Sequence, residues 1–129
     1  MQLVVAKKTG RVVCTAHDKG KVHDFRVLKK SRLPLRKGVK AKLDSGYQGV
    51  KHVHANSDLP KKATKHKPLT KKDKAANRKL ARERVMVEHV IGRIKVFRIL
   101  AERYRNRRQK HTLRVNLICG IYNLELQCL

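Results

Sequence analysis

The sequence has few of the residues that define several common classes of protein. It has no Trp, two Phe and three Tyr, and its basic stretches lack the aromatic-rich apolar face typical of membrane-surface helices. Its three cysteines are too few and too scattered for a disulfide framework or a zinc site. No apolar run approaches the ~18 residues that span a bilayer, and we recognise no signal peptide. These absences favour a protein of a reducing cytoplasm with no membrane partner.

Acidic residues are also scarce. Nine Asp and Glu stand against 34 Lys and Arg, which gives a formal net charge of +25 over 129 residues, the size of one domain. Such a charge opposes compaction unless an anionic partner is present, and nucleic acid is the obvious one. The charge is spread through every segment, which disfavours a basic protein without a specific partner.

Two basic stretches are the strongest predicted contacts to DNA phosphates, the lysine-rich loop from Pro60 to Pro68 and the run Arg103–Lys110. Charge runs are usually solvated linkers, but arginine forks match phosphate oxygens. The predicted DNA-binding residues are Lys61, Lys62, Arg84, Lys95, Arg103, Arg105, Arg107 and Arg108. Four histidines are expected to be solvated or to contact phosphate: His52, His54, His66 and His89.

The pattern of apolar residues predicts the element order β-β-α-β-loop-α-α. Leu3–Ala6 and Arg11–Ala16 form a hairpin around Gly10. A helix follows over 22–31, and Val39–Asp44 alternates as a strand. Val53 is expected in a short edge strand. Thr70 is the expected N-cap of the long helix, with Asp73 completing a capping box. A final helix over 112–126 is expected to bury one stripe, made of Leu113, Leu117, Ile121 and Leu124.

The long helix is predicted over Arg78–Arg105, because this stretch has no proline and only one glycine. Its apolar face consists of Leu80, Val87, Val90, Ile91 and Ile94. Glu88 lies off that face, on one stripe with Arg84 and Lys95. On the helix alone, a surface ion pair with Arg84 worth less than ~1 kcal/mol is the favoured interpretation of Glu88. The alternative is a metal ligand in a groove for a polyanion.

A second acid, Asp44, favours the metal interpretation. It ends a predicted strand just before the turn Ser45–Gly49, where α/β sheets place their sites. A strand-end Asp and a helical Glu can face each other across a groove, and both are hard oxygen ligands suited to Mg²⁺ or Mn²⁺. Paired metals of this kind activate a water or a 3′-hydroxyl and stabilise the leaving oxygen of a phosphodiester.

Seven stretches in one order carry a resemblance to a known family. They are His23–Phe25, Asp44–Gly49, Asn56–Lys62, Asn77–Leu80, Arg84–Ile91, Arg103–Arg107 and Asn116–Asn123. In this order they closely resemble the C-terminal half of bacterial insertion-sequence transposases of the DDE type, over nearly the whole chain.

The resemblance implies an α/β, ribonuclease H-like catalytic domain, here over residues 1–127, with long C-terminal helices. Asp44 is then the second acid of the catalytic and metal-binding triad, and Glu88 the third. The first acid of the family lies on a central strand upstream of the hairpin, so the expected fold is incomplete. Mg²⁺ or Mn²⁺ is the implied cofactor, and the double-stranded DNA of transposon ends the implied partner, in the bacterial cytoplasm at the nucleoid.

The expected form is therefore a truncated or split transposase, which needs an upstream transposase polypeptide or assembles as a homo-oligomer. Two alternatives remain open. One is a non-enzymatic basic nucleic-acid-binding protein, such as a ribosome-associated protein, which leaves the Asp44 turn and the Glu88 helix as coincidence. The other is a decayed, inactive fragment.

Overall fold

The structure is a computed structural model that describes residues 1–18, 20–103 and 109–129. In chain order its elements are β1 (Gln2–Val5), β2 (Val12–Ala16), α1 (Asp24–Ser31), β3 (Ala41–Lys42), β4 (Ser57–Asp58), α2 (Lys71–Ile94), α3 (Arg98–Ala101) and α4 (Gln109–Cys128). Two short 3₁₀ turns, Ser45–Tyr47 and Val50–His52, lie between β3 and β4. The chain is thus of the mixed α/β class.

The chain divides into two compact units. The terminal unit comprises Met1–Gly20 and Met86–Leu129, and the central unit comprises Lys21–Val85. Helix α2 begins in the central unit and ends in the terminal one. The assignment of residues 1–127 to a single catalytic domain stays a prediction.

The terminal unit is built on the predicted hairpin. Strands β1 and β2 pair antiparallel, with Leu3 opposite Thr15 and Val4 opposite Cys14. Gly10 has a φ of 68°, a left-handed conformation that glycine adopts without strain. The unit's core is a cluster of buried side chains from the hairpin, α2 and α4: Val12, Val90, Ile94, Val115, Ile118, Cys119 and Tyr122.

Helix α4 buries a different face from the one predicted. Its buried residues are His111, Val115, Ile118, Cys119 and Tyr122. The expected stripe of Leu113, Leu117, Ile121 and Leu124 is exposed instead. The prediction was wrong because α4 carries two apolar stripes, and helical periodicity does not decide which of them meets the core.

The start of helix α2 agrees with the predicted Thr70 N-cap, because the helix begins at Lys71, seven residues before Arg78. Its end differs from the prediction, because α2 stops at Ile94 and α3 follows as a separate helix. At the break, the N–H groups of Val96 and Phe97 bond to carbonyls three residues earlier, Arg93 and Ile94. The capping box is confirmed, since Asp73 N–H donates to Thr70 Oγ1 at 3.2 Å and Thr70 N–H to Asp73 Oδ2 at 3.3 Å.

The central unit holds a very small sheet. The predicted strand over 39–44 is reduced to β3, which pairs in parallel with β4. Val53 is not in a strand but follows the second 3₁₀ turn, and it is 63% exposed. His54 is buried, and its Nε2 lies 2.7 Å from the carbonyl oxygen of Val39, so the expectation of a solvated residue was wrong for it.

The strands of the described residues form two separate two-stranded sheets. The ribonuclease H-like arrangement expected from the family resemblance therefore goes beyond what these elements show.

Candidate functional site

Asp44 has the position that the sequence predicted, just after a strand and at the head of a turn. It is the N-cap of the 3₁₀ turn Ser45–Tyr47, and its Oδ1 accepts the N–H of Ser45 at 2.6 Å. The same oxygen lies 3.4 Å from Nη1 of Arg84, whose side chain is 22% exposed. The carboxylate itself is 55% exposed, so the turn presents its oxygens to solvent.

Helix α1 packs against the turn that carries Asp44. A Cβ added at Gly46 would lie 2.8 Å from Asp24 Oδ2, closer than real Cβ atoms come to other heavy atoms. A Cβ at Gly49 would lie 3.3 Å from the Phe25 ring, and the φ of Gly49 is 91°. Glycine is therefore favoured at Gly49 by its backbone conformation, whereas a side chain at Gly46 would displace the Asp24 carboxylate. Two of the stretches that carry the family resemblance thus meet in space.

Tyr47 reports the electrostatics of this turn. Burial raises the pKa of its phenol to about 12, and the negative charges of Asp24 and Asp44 add to the effect. The nearby Arg84 guanidinium acts in the opposite direction on the same pKa. Asp24 is therefore close enough to influence the turn that carries Asp44.

The basic loop is attached to α2 by another pair of the matching stretches. Asn77 accepts the Lys61 N–H through Oδ1 and donates through Nδ2 to the Lys61 carbonyl, each at 2.9 Å. Lys61 Nζ lies 2.6 Å from Asp73 Oδ1. The Asn77 amide thus holds the backbone of the loop at Lys61 against α2, and the next residue, Lys62, is exposed.

The same device recurs in the terminal unit. Asn123 accepts the Val12 N–H through Oδ1 at 2.9 Å and donates through Nδ2 to the Val12 carbonyl at 2.8 Å. Tyr122 donates its hydroxyl to the Gly10 carbonyl at 3.2 Å, and Thr15 donates to Asn116. Sequence reasoning missed these clamps. The signal was the Asn116–Asn123 stretch, whose two asparagines are seven residues, or two helical turns, apart on α4.

Glu88 lies on α2 with an exposed side chain. Among the described residues it takes part in no ion pair of 4 Å or less, and Arg84 contacts Asp44 instead. The surface ion pair first favoured for Glu88 is therefore not formed. Because Asp44 belongs to the central unit and Glu88 to the terminal one, the approach of the two carboxylates stays a prediction.

The remaining predicted phosphate contacts divide into two groups. Lys95, just after α2, and Arg103, after α3, have exposed side chains, as do Lys61 and Lys62. Arg105, Arg107 and Arg108 lie outside the described residues. No helix among the described elements is both long and apolar enough to cross a bilayer.

In the described part of the chain, no group of three or more His, Cys, Asp or Glu side chains is placed to hold a metal ion. Asp44 nevertheless fits a hard cation, since its Oδ1 takes both contacts to Ser45 and Arg84 and the carboxylate is more than half exposed. One or two such carboxylates are too few to hold the two metal ions of a nuclease-type catalytic centre.

A mixed α/β chain with an acid-bearing turn, a helical acid and a large excess of positive charge has the features of a nucleic-acid enzyme. Comparison with known families is more specific. The model of the DDE superfamily endonuclease family matches residues 1–123, and the chain belongs to this family. Proteins of this superfamily generally use divalent metal ions.

The chain is similar to the probable transposase for insertion sequence element IS702 of Microchaete diplosiphon. The two are 47% identical over 125 residues, which cover 97% of this chain and 45% of the relative. The chain thus spans less than half the length of that relative. No solved structure matches.

Proposed function

We propose that this chain provides part of the catalytic centre for DNA transposition, that is, metal-dependent cleavage of DNA and transfer of the cut strand. The observation that carries the proposal is the Asp44 turn. In a chain of the DDE endonuclease family, α1 and Arg84 hold one exposed carboxylate in a fixed orientation after a strand. A function limited to nucleic-acid binding gives no reason for this construction.

Asp44 and Glu88 are the proposed metal ligands, within a ribonuclease H-like arrangement of the complete catalytic domain. Bound Mg²⁺ or Mn²⁺ would activate a water or 3′-hydroxyl and stabilise the leaving oxygen. Arg84 neutralises the Asp44 carboxylate when no cation is present, and a bound metal ion would compete with the guanidinium for the charge of this carboxylate.

The third carboxylate is proposed to come from outside these 129 residues, either on a continuous chain or on a separate polypeptide. Transposon-end DNA is the proposed substrate, in the bacterial cytoplasm at the nucleoid. The exposed bases Lys61, Lys62, Lys95 and Arg103, together with Arg105, Arg107 and Arg108, are proposed to bind its phosphates.

A chimera tests this proposal. The matching segment of the Microchaete transposase is replaced by this chain, and cleavage of that element's end DNA is measured with Mg²⁺, with Mn²⁺ and with a chelator. We expect metal-dependent cleavage that falls by more than about 100-fold in Asp44→Asn and in Glu88→Gln, since even outer partners of a metal contribute about 10- to 100-fold.

Two matched controls separate chemistry from charge. Asp58→Asn and Glu102→Gln also remove one negative charge each, but Asp58 pairs with Lys40 at 3.0 Å and Glu102 follows α3. Both controls should cleave like the parent chimera. An active Asp44→Asn or Glu88→Gln chimera contradicts the assignment of the ligands, and robust cleavage by the 129-residue chain alone contradicts the need for an outside carboxylate.

A further inference from the structure

Helix α4 has two apolar faces, of which the terminal unit uses only one. His111, Val115, Ile118 and Tyr122 face the core. At 100° per residue, the opposite side of the helix carries a second row of four large aliphatic side chains. This outer stripe consists of Leu113 (70% exposed), Leu117 (64%), Ile121 (39%) and Leu124 (60%).

A single exposed leucine is ordinary, but a continuous row is not. The outer stripe extends over 12 residues of one helix, and its ends are about 17 Å apart at 1.5 Å per residue. Its members are separated by four, four and three residues, an 11-residue period that keeps them on one side of the helix. The stripe is therefore shaped for another helix rather than for an irregular or globular ligand.

The charge of α4 distinguishes it from the rest of the protein. The chain carries +25, whereas the 20 residues of α4 contain only two basic residues and one acid. The outer stripe is therefore a part of the surface where a second positively charged copy meets little repulsion. It is also poorly suited to DNA phosphates.

The order of residues along α4 is self-complementary in an antiparallel pair. About a centre near residue 119, Leu113 of one copy lies opposite Leu124 of the other, and Leu117 lies opposite Ile121. Arg114 and Glu125 are on one flank of the stripe, since they are 11 residues, or three turns, apart. About the same centre, each Arg114 faces Glu125 of the other copy, which gives two ion pairs related by the two-fold axis.

We propose that the outer stripe of α4 is a homodimer interface, in which the α4 helices of two copies pack antiparallel about a two-fold axis near residue 119. Leu117 and Ile121 occupy the centre, and the Arg114–Glu125 pairs set the direction. The proposal does not depend on the catalytic assignment.

Sedimentation of the full chain, freed of nucleic acid, tests the interface over about 1 µM to about 1 mM protein. We expect a monomer–dimer equilibrium that becomes tighter as salt rises from 0.1 M to 1 M. The reason is that the screening length falls from about 10 Å to about 3 Å, so repulsion between the two copies is weakened while apolar contacts persist. Assembly through residual DNA has the opposite salt response.

Three variants locate the interface. Leu117→Lys and Ile121→Lys should remain monomeric over the whole concentration range. The matched control is Val96→Lys, at a residue that is 80% exposed and lies between α2 and α3, and it should dimerise like the parent. Circular dichroism of each variant checks that helicity is unchanged.

Charge exchange tests the direction of packing. Glu125→Arg should weaken the dimer by a few-fold, because each Arg114 then faces an arginine, and Arg114→Glu combined with Glu125→Arg should restore it. A double exchange that does not restore dimerisation contradicts the antiparallel register.

Three results overturn the interface itself. They are a parent chain that stays monomeric at about 1 mM in both salts, a Leu117→Lys variant that dimerises normally, and assembly that grows beyond a dimer, which a closed two-fold contact forbids. A stripe that becomes protected only in the transposase chimera would assign it to the remainder of that chain, and would also contradict the homodimer.

Discussion

At the scale of single residues, the candidate site depends on side chains that are far apart in sequence. Asp24 contacts Gly46, Phe25 packs on Gly49, and Arg84 reaches Asp44. Each contact explains why a particular residue type stands in a stretch that resembles the transposase family. The acid itself contributes little to the stability of the fold, because a half-exposed ion pair is worth about 1 kcal/mol or less.

Tyr47 gives a test of this geometry that needs no activity. Its pKa of about 12 results first from burial and then from Asp24 and Asp44. Removing a nearby negative charge makes the tyrosinate less unfavourable, so Asp44→Asn should lower the pKa towards the ordinary 10. Removing the positive charge with Arg84→Met should raise it. NMR titration of the Tyr47 ring carbons measures both changes.

The control for this titration is Asp58→Asn, which removes an acid that pairs with Lys40. It should leave the pKa of Tyr47 unchanged. Equal shifts in the Asp44 and Asp58 variants would mean that overall charge, rather than the local turn, sets the pKa of Tyr47.

The sequence predicted the local contacts of these residues but not the long-range one. It placed Asp44 at the end of a strand and Thr70 with Asp73 in a capping box, because both patterns are local. It paired Arg84 with Glu88 because they are one turn apart. The structure pairs Arg84 with Asp44, 40 positions earlier, since a long-range contact is invisible to helical spacing.

At the scale of elements, α4 holds the hairpin in place. Asn123 clamps Val12, Tyr122 bonds to the Gly10 carbonyl, and two histidine rings stack nearby. His17, after β2, and His111, near the start of α4, have ring centroids 4.1 Å apart and planes tilted by 33°. A stack of two neutral imidazoles becomes a repulsive pair when both are protonated.

This stack predicts a loss of stability in mild acid. Burial is the largest of the causes that lower the pKa values of His17 and His111. For His17 the charge of His111 adds to it, and the N-terminal amine acts on both rings. Asp18 raises the pKa of His17, and Arg114 lowers that of His111. The unfolded state therefore binds these protons more readily than the folded state does.

This linkage between proton binding and folding determines whether the protein gains or loses stability as the pH falls. The stabilising contribution is complete above the ordinary histidine pKa of 6.5 and is lost as the pH falls through the lowered folded values. We expect a lower urea midpoint at pH 5.5 than at pH 7.5, and a smaller difference in His111→Phe. The exposed His66→Gln should behave like the parent; a parent midpoint that does not change over this range would show that the stack is not coupled to folding.

Helical periodicity predicted some of these elements but not where α2 ends. The hairpin was predictable because a turn glycine lies between its two apolar runs. Helix α1 and the helical character of α2 were predictable because each has an apolar stripe at helical spacing. The end of α2 at Ile94 was not. Ile94 is 1% exposed, and Ile99 and Leu100 pack against the same cluster. These contacts favour a break in the helix where the sequence shows no proline or glycine.

At the scale of the whole molecule, charge and family membership are the firmest conclusions. A net charge of +25 and a DDE endonuclease match over residues 1–123 both follow from the sequence alone. The ribonuclease H-like sheet implied by the family resemblance stays a prediction, since β3 and β4 have two residues each and the described strands form two separate sheets. Long-range strand order depends on partners that local patterns do not specify.

DNA binding by this chain should depend on its positive charge rather than on the proposed catalytic carboxylates. We expect the chain to bind duplex DNA with little sequence preference and a steep dependence on salt. Each phosphate that is neutralised adds about 0.9 to the slope of log K against log salt. Replacing Arg105, Arg107 and Arg108 with Ala should reduce that slope by up to about 3, and Lys62→Ala by about 1.

Lys8→Ala, in the hairpin turn, is the matched control and should leave the slope unchanged. Fluorescence anisotropy at several salt concentrations measures it; a parent chain with a flat salt response, or a Lys8 variant as affected as the Lys62 variant, would contradict a localised phosphate-binding surface.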